Sequence, residues 1–532
     1  MSKFNGTNKS KPTGTNMAGG VSYNRPIKKE IVSVVLNSML NGDSYYEKET
    51  ERLARIEGLI GKASEDSEFV AKAMVYTRNE GRLRSVSHFM ANMLAENVKG
   101  EEFLKPAFVK AIVRPDDMTE MLSLWNTRNK GKMVPNSLRR AFKTALETKF
   151  DEYQFRKYAA PKSAVKLKDV VKLAHPSPKG FADETIFKRL IEDQLATIET
   201  AQTINSSTTG TERVDAYMDQ IKSGKMGYMA SVKNIRTLLE NGISDEDLKV
   251  WANMITDPKK VEKSMMLPFR FIDAWNAVKD ITNPKQTGNV DSSLKSQLEK
   301  ALGKTHQEVK VENMGEKLKI VKKALERAFG LSAGNTNIAG EGEKVAILLD
   351  ESGSMGGSYG YGNEDKSQPF YIGKTLAAAM KVGMNEDDCL FYTWADTCTK
   401  REVKGQSPFD FINKLNTRGG GTDVAAPLRE LIKTKTKVDK IVILTDMQLY
   451  GGYGGFGDQV KNYINQYKKE VNAEVKVLFW NLQGYGGGAP IDLEKAEEVF
   501  EVSGYSDKML EVIPKLWNDK DFLIKVIEAV EL

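Results

Sequence analysis

Two short, unbroken apolar runs constrain this chain more than any other feature. Val345-Ala346-Ile347-Leu348-Leu349 runs directly into Asp350, and Ile441-Val442-Ile443-Leu444 runs into Thr445-Asp446. Runs of this length with no polar interruption suit strands covered on both faces of a parallel sheet. Sheets of that kind bind ligands beyond the carboxyl ends of their strands. Asp350-Glu351-Ser352-Gly353-Ser354 follows the first run, Thr445-Asp446 ends the second, and Gly421-Thr422-Asp423 lies between them. The three pieces are therefore expected to meet on one rim of the sheet.

The candidate donors there are all oxygens: the hydroxyls of Ser352, Ser354 and Thr422 and the carboxylates of Asp350 and Asp446. Hard divalent cations prefer such a set, and Mg²⁺ in particular keeps several waters and uses few carboxylates. Ser352 and Ser354 lie two apart, so one loop can aim both hydroxyls the same way. Asp350 and Asp446 can hold metal-bound waters. Few protein ligands leave a coordination position open for a carboxylate or phosphate oxygen of a partner.

These five positions resemble the metal-ion-dependent adhesion site of the von Willebrand factor A family. The resemblance covers about the last 190 residues. It implies a doubly wound, Rossmann-like α/β domain over 341–532 that binds ligands and is not usually catalytic.

A chain of 532 residues is expected to hold more than one domain. Two cysteines, Cys389 and Cys398, give no disulfide framework and no zinc site, and they suit a reducing cytoplasm. The basic start lacks the apolar core of a secretory signal, and no apolar stretch is long enough to span a membrane. The formal net charge of +6 conceals an asymmetry. Of 78 Lys/Arg and 72 Asp/Glu, 23 and 30 fall in 341–532, leaving 55 and 42 elsewhere. A cationic region beside an acidic domain points to a polyanionic partner such as nucleic acid.

Residues 1–20, rich in Gly, Ser, Thr, Asn and Lys, read as a flexible tail. From about Pro26 to Gly330 the apolar spacing is helical. Helices are expected near 49–62, 66–78, 84–97, 102–113, 116–125, 137–148, 167–175, 184–203, 213–223, 228–240, 245–255, 259–278, 291–302 and 312–329, after a first one carrying Ile31, Val34, Val35 and Met39. Many short helices with short connections suggest an α-solenoid or similar stack. Leu331–Glu343 reads as the linker. Beyond it, strands are expected near 344–349, 388–394, 439–445 and 474–480, with helices near 371–383, 408–415, 424–434, 457–469 and 507–530.

Residues 136–179 carry eleven Lys/Arg against four acids. Arg139, Arg140 and Lys143 share one helix face, with Leu138, Phe142 and Leu146 elsewhere. Lys168, Lys172 and His175 follow i, i+4, i+7 spacing on the next helix, with Lys157 and Lys162 in the connection. Two adjacent cationic faces are what phosphate binding requires. Amphipathic helices with solvated faces would show the same pattern.

The segment Leu138-Arg139-Arg140-Ala141 through Lys172-Leu173-Ala174-His175-Pro176 resembles the TROVE module of Ro autoantigen proteins. So do Ala18-Gly19-Gly20 with Gly42-Asp43-Ser44-Tyr45-Tyr46, and Met229–Asn241 with Lys233-Asn234-Ile235-Arg236 at its centre. The order, TROVE module over 21–335 and then A domain, matches as well. The resemblance implies an all-α ring of HEAT-like repeats followed by the A domain. It further implies small noncoding Y RNA on a basic outer surface and single-stranded ends of misfolded RNA in the ring. Bacterial members are linked through Y RNA to a 3′ exoribonuclease, polynucleotide phosphorylase. By motif position Lys162, Lys172 and His175 fall where that family contacts Y RNA.

The chain departs from the family at Glu351 and Gly353 and in three Gly/aromatic insertions, Gly356–Gly362, Gly451–Gly457 and Gly484–Gly488. These are expected to crowd the metal rim and to display Tyr359, Tyr361, Tyr453, Phe456 and Tyr485, either as loop spacing or as a stacking platform for unpaired bases. The expectation is a cytoplasmic, monomeric RNA-binding protein with a bound divalent cation, no membrane association and no catalysis, acting in RNA quality control. His88, His175 and His306 have no ligand or triad spacing. The alternative is a metal-dependent protein-interaction module on a helical scaffold.

Overall fold

The computed structural model describes residues 12–37, 40, 44–63, 66–158, 164–195, 204, 207–264, 266, 268–281, 313–333, 338–356, 368–417, 419–449, 457–486, 488–504 and 508–532. The chain forms two compact units, one of 1–198, 336–406 and 410–532, the other of 199–335 with 407–409.

The first unit begins with a two-residue hairpin, β1 (Gly14–Thr15) against β2 (Val21–Ser22). A flexible tail over 1–20 is therefore not what Pro12–Gly20 forms, and its partners are given below. Among the described residues ten helices follow: α1 (Ile27–Val35), α2 (Glu49–Lys62), α3 (Ser67–Asn79), α4 (Arg84–Asn97), α5 (Leu104–Ala111), α6 (Pro115–Arg128), α7 (Asn136–Thr148), α8 (Glu152–Tyr158), α9 (Leu167–Ala174) and α10 (Ile186–Ile191). Each hides its apolar stripe: Leu138, Phe142, Ala145 and Leu146 of α7 and Val170 of α9 have no exposed surface. Of the helix expected near 184–203 the described residues give α10, 196–203 lying outside them, and α8 is additional.

Buried charges join α3, α4 and α6. Asp117, fully buried on α6, accepts from Arg78 Nη2 at 2.9 Å and pairs with Arg84 Nε at 2.8 Å. His88, equally buried, sits 3.5 Å from Asp117 and 3.3 Å from Glu120. Burial alone would raise the Glu120 carboxyl, but His88, Ser85 and Arg84 outweigh it and hold it at about 2. Asp117 is also held below the usual range: its burial is outweighed by His88, Arg78 and Arg84.

The same unit contains the α/β domain. Its six-stranded sheet has the order β5-β4-β3-β6-β7-β8, from β3 (Val345–Asp350), β4 (Cys389–Trp394), β5 (Cys398–Arg401), β6 (Lys440–Thr445), β7 (Lys476–Asn481) and β8 (Val499–Ser503). All pairings are parallel except the β4–β5 edge hairpin. From β3 the chain builds outward to β4 and β5, then returns to β6 on the other side and builds outward again. The strand order thus reverses between β3 and β6, the place where a doubly wound sheet opens a crevice. Both strands are buried along their whole length, as their uninterrupted apolar runs require.

The second unit holds α11 (Gly210–Lys222), α12 (Tyr228–Lys233), α13 (Ile235–Glu240), α14 (Asp245–Ile255), α15 (Pro258–Ser264), α16 (Phe269–Val278) and α17 (Met314–Ala333). The helices expected at 228–240 and 259–278 are each split. At Asn234 the side chain donates to Ala230 O at 2.8 Å and accepts from Tyr217 OH at 3.2 Å. The helix expected at 291–302 lies outside the described residues. In the α/β domain, α18 (Pro369–Val382), α19 (Pro408–Lys414), α20 (Ala425–Lys433) and α21 (Gly457–Glu470) match expectation, whereas 507–530 divides into α22 (Lys508–Leu516) and α23 (Phe522–Glu528). Strands β5 and β8 are additional.

Candidate functional site

Asp350 ends β3 and Asp446 follows β6, so the sheet sets both carboxylates on the crevice rim. Asp350 Oδ1 accepts the Ser352 amide at 2.9 Å and Oδ2 accepts the Thr445 hydroxyl at 2.7 Å. These bonds fold the chain after β3 back over the strand end. There Ser352 Oγ and Ser354 Oγ stand 3.4 Å apart. Asp446 Oδ1 accepts the Gln448 amide at 3.1 Å. Thr422 shares a cavity with Ser354, and its loop is held by Gly421 N donating to Asp396 Oδ2 at 3.0 Å. The structure therefore brings the five candidate positions together, all of them buried.

This arrangement fits a divalent cation. Neighbouring ligands of an octahedral Mg²⁺ stand about 3 Å apart, given metal–oxygen bonds of roughly 2.1 Å, close to the Ser352–Ser354 separation. Asp446 Oδ2 is buried and makes no well-formed hydrogen bond, with the Ser354 hydroxyl beside it. A buried orphan acceptor of this kind calls for a donor such as a metal-bound water. Burial raises both carboxyls, and the Asp446 charge raises Asp350 further. Two anions in a dry site without a compensating charge behave in this way, and a cation would reverse it.

Sequence reasoning did not place the opposite wall. Met17, Ala18, Tyr45 and Tyr46 face Ser354 and Thr422 across a cavity of about 290 Å³. The Asn16 amide donates to Leu449 O at 2.9 Å, and Met17 N donates to Gln448 Oε1 at 2.7 Å. A Cβ on Gly20 would collide with the Leu449 carbonyl, and one on Gly488 with the Tyr23 carbonyl. Tyr23 and Ala489 exchange backbone hydrogen bonds at 2.9 Å. The glycines of this segment thus permit backbone-to-backbone docking. Burial and the nearby Asp446 charge push the Tyr46 phenol up to about 12, so it is a hydrogen-bond donor at neutral pH.

The Gly/aromatic insertions need one correction. Tyr485 is not displayed: it is 3% exposed, with its ring 5.5 Å from that of Tyr46 in edge contact. Arg55 donates to Gly484 O at 2.6 Å and covers the same loop. Tyr359, Tyr361, Tyr453 and Phe456 lie outside the described residues.

The cationic candidates separate into three groups. Arg140 and Lys143 on α7, Lys172 on α9, Lys157 and His175 are exposed. Arg139 is half-buried, and Lys168 pairs with Asp193 at 2.5 Å. Lys162 lies outside the described residues. Helices α7 and α9 pack on each other, and Lys143 stands 4.0 Å from Glu147 on its own helix. His175 caps α9 in the left-handed conformation, φ 49°. Its amide stays bonded to Val171 O, and its side chain is exposed.

A TROVE domain model matches residues 31–219 and 212–335, more than half of the chain. The chain belongs to the TROVE family, and so to the Ro/TROVE class of RNA-binding, non-catalytic proteins. The crystal structure of the Ro (Rsr) protein of Deinococcus radiodurans shares its fold, with a TM-score of 0.57 at 15% identity, over 92% of this chain and 99% of that one. The helical region followed by a mixed six-stranded α/β domain is the architecture both show, and the latter is consistent with a von Willebrand factor A domain. No curated protein matches the chain. Among the described residues no helix is long and apolar enough to cross a membrane.

Proposed function

We propose that the chain binds a small structured noncoding RNA of the Y type on the cationic surface of α7 and α9, and single-stranded ends of misfolded RNA as a second ligand. Its task on this reading is RNA quality control, or the scaffolding of a 3′ exoribonuclease such as polynucleotide phosphorylase. The observation that carries the reading is the placement of Arg140, Lys143, Lys172 and His175, all exposed, on two packed helices of a TROVE domain. Exposed cations can replace the counterions of a phosphate backbone, as Lys143 can although Glu147 stands 4.0 Å away on its own helix.

Mg²⁺ belongs to the same proposal. Ser352, Ser354 and Thr422 would bind it directly, and Asp350 and Asp446 would hold its waters. Bound there, the ion supplies a Lewis-acidic position for an anionic ligand. The hydroxyls fix its place, and the buried carboxylates supply the charge that retains it.

Fluorescence anisotropy with a labelled, structured small RNA tests the RNA reading. Binding is expected to weaken steeply with salt, and to be lost in a charge-reversed Arg140→Glu/Lys143→Glu/Lys172→Glu chain. Equal affinity of that chain would contradict the proposed surface.

A further inference from the structure

Helix α8 turns an aromatic side chain into solvent. Tyr153 is 49% exposed. The helix is held from its other side by Phe155, which is fully buried, with its ring 6.3 Å from that of Phe150, 6.0 Å from Phe181 and 5.7 Å from Phe187. Its first turn is closed by a reciprocal pair: Gln154 N donates to Asp151 Oδ1 at 2.8 Å, and Asp151 N donates to Gln154 Oε1 at 3.1 Å. Two residues along a helix point to nearly opposite sides, so anchoring Phe155 presents Tyr153 outward. Core packing accounts for Phe155 and not for Tyr153.

The surroundings of Tyr153 alternate rings with cations. Lys157, one turn further on, is exposed, and its Nζ lies 5.9 Å from the centre of the Tyr153 ring and 5.6 Å from that of Tyr158. Arg114 lies over Tyr158 at 5.2 Å. Its Nε donates to Asp116 Oδ1 at 2.9 Å, which fixes the plane of the guanidinium. The spatial order is therefore Arg114, Tyr158, Lys157, Tyr153.

A single strand of nucleic acid has a matching alternation, with bases separated by phosphates. Aromatic rings and guanidinium planes accept bases of any identity by stacking, and cations take the phosphates. The Lys157 ammonium, a point charge on a flexible stem, can swing from the rings onto a phosphate. In a duplex the base faces cover one another, so only unpaired nucleotides can use such a surface.

We infer that the exposed side of α8 is a stacking site for unpaired nucleotides, with one base on Tyr153, a second on the Arg114–Tyr158 pair and the phosphate between them on Lys157. The inference rests on the RNA reading proposed above and adds to it a place for single-stranded segments.

Fluorescence anisotropy on the full chain tests this with two labelled probes, a blunt hairpin RNA and the same hairpin carrying a single-stranded uridine extension of about eight nucleotides. The wild type is expected to bind the extended hairpin more tightly. Tyr153→Ala should weaken that probe about tenfold, as loss of one stacked base would, and leave the blunt hairpin unchanged. Tyr153→Phe should bind as the wild type does, because stacking needs the ring and not the hydroxyl. Equal loss in Tyr153→Phe would assign the effect to the hydroxyl and overturn the stacking site. Failure of the wild type to bind either probe overturns the RNA reading and the inference with it. Binding of the blunt hairpin with no gain from the extension, or a gain that survives both Tyr153→Ala and Tyr158→Ala, overturns the inference alone.

Discussion

Met17 and Gln448 are separated by 431 positions, yet Met17 N donates to Gln448 Oε1 at 2.7 Å. The backbone amide of the same glutamine donates to Asp446 Oδ1. One residue thus ties the amino-terminal strap to the strand end that carries a candidate metal carboxylate. Gln448→Ala should leave the Met17 amide without its partner and cost about 1 kcal/mol. Gly20→Val, which places side-chain atoms against the Leu449 carbonyl, should cost more, roughly 1–3 kcal/mol. In both variants limited proteolysis should cut earlier within 12–25 than in the wild type. Unchanged cleavage there would show that the strap is not held by these contacts.

The His88 cluster should behave as a structural lock. Asp117→Ala removes a fully buried carboxylate that pairs with Arg78 and Arg84. Arg78 and the buried His88 lose a partner while Arg84 keeps Asp116 and Glu120, so the loss should be about 3 kcal/mol. Chemical denaturation checks this, and a change below 1 kcal/mol would mean that water reaches the cluster.

The same cluster gives the protein an acid-sensitive stability. Glu120 is held at about 2 in the folded chain, against 4.5 for the free side chain. Between these values the unfolded state binds more protons than the folded one, so stability falls as pH drops. The contribution is complete above about pH 5 and disappears through about pH 2. Denaturation midpoints measured from pH 6 to pH 3 should slope less steeply in Glu120→Gln than in the wild type.

Chelation and metal addition test the candidate metal rim. Mg²⁺ at a hundred times its dissociation constant should stabilise the wild-type chain by about 2.7 kcal/mol. Asp446→Ala should lose that shift in melting temperature and leave the helical region folded. A shift of equal size in the variant would move the metal elsewhere.

RNA binding should report its charges one by one. For a double-stranded segment, each phosphate contact removed should lower the slope of log affinity against log salt by about 0.9. Lys172→Ala should show that change. Lys168→Ala should show less of it, because Lys168 is already paired with Asp193.

The parts of the fold that could be read from sequence are those governed by local pattern. Strands β3 and β6 announce themselves because Val345–Leu349 and Ile441–Leu444 have no polar interruption, and burial on both faces demands that. Strand β5 escapes because Cys398–Arg401 is short, polar and on the sheet edge. Strand β8 carries Glu501 in its middle, and only the structure shows that Arg25 neutralises it. Helix breaks were missed where one side chain ends a helix whose apolar spacing continues, as at Asn234. At the candidate metal rim, Asp350, Ser352, Ser354, Thr422 and Asp446 were legible because each follows a strand or sits in a glycine turn. Tyr45 and Tyr46 were visible only as parts of a motif, since their position against Ser354 depends on docking between segments about 300 residues apart. The exposed cations of α7 and α9 followed from helical spacing. The pairing of Lys168 with Asp193 is non-local and left no trace in that spacing.

The most direct test of the central claim is sequencing of the RNA that co-purifies with the full-length chain, in parallel with the Arg140→Glu/Lys143→Glu/Lys172→Glu variant. A discrete small structured RNA enriched with the wild type and absent from the variant is the expected result. An RNA profile that is the same for both proteins, or no enriched RNA with either, would contradict the assignment of the α7–α9 surface to RNA binding.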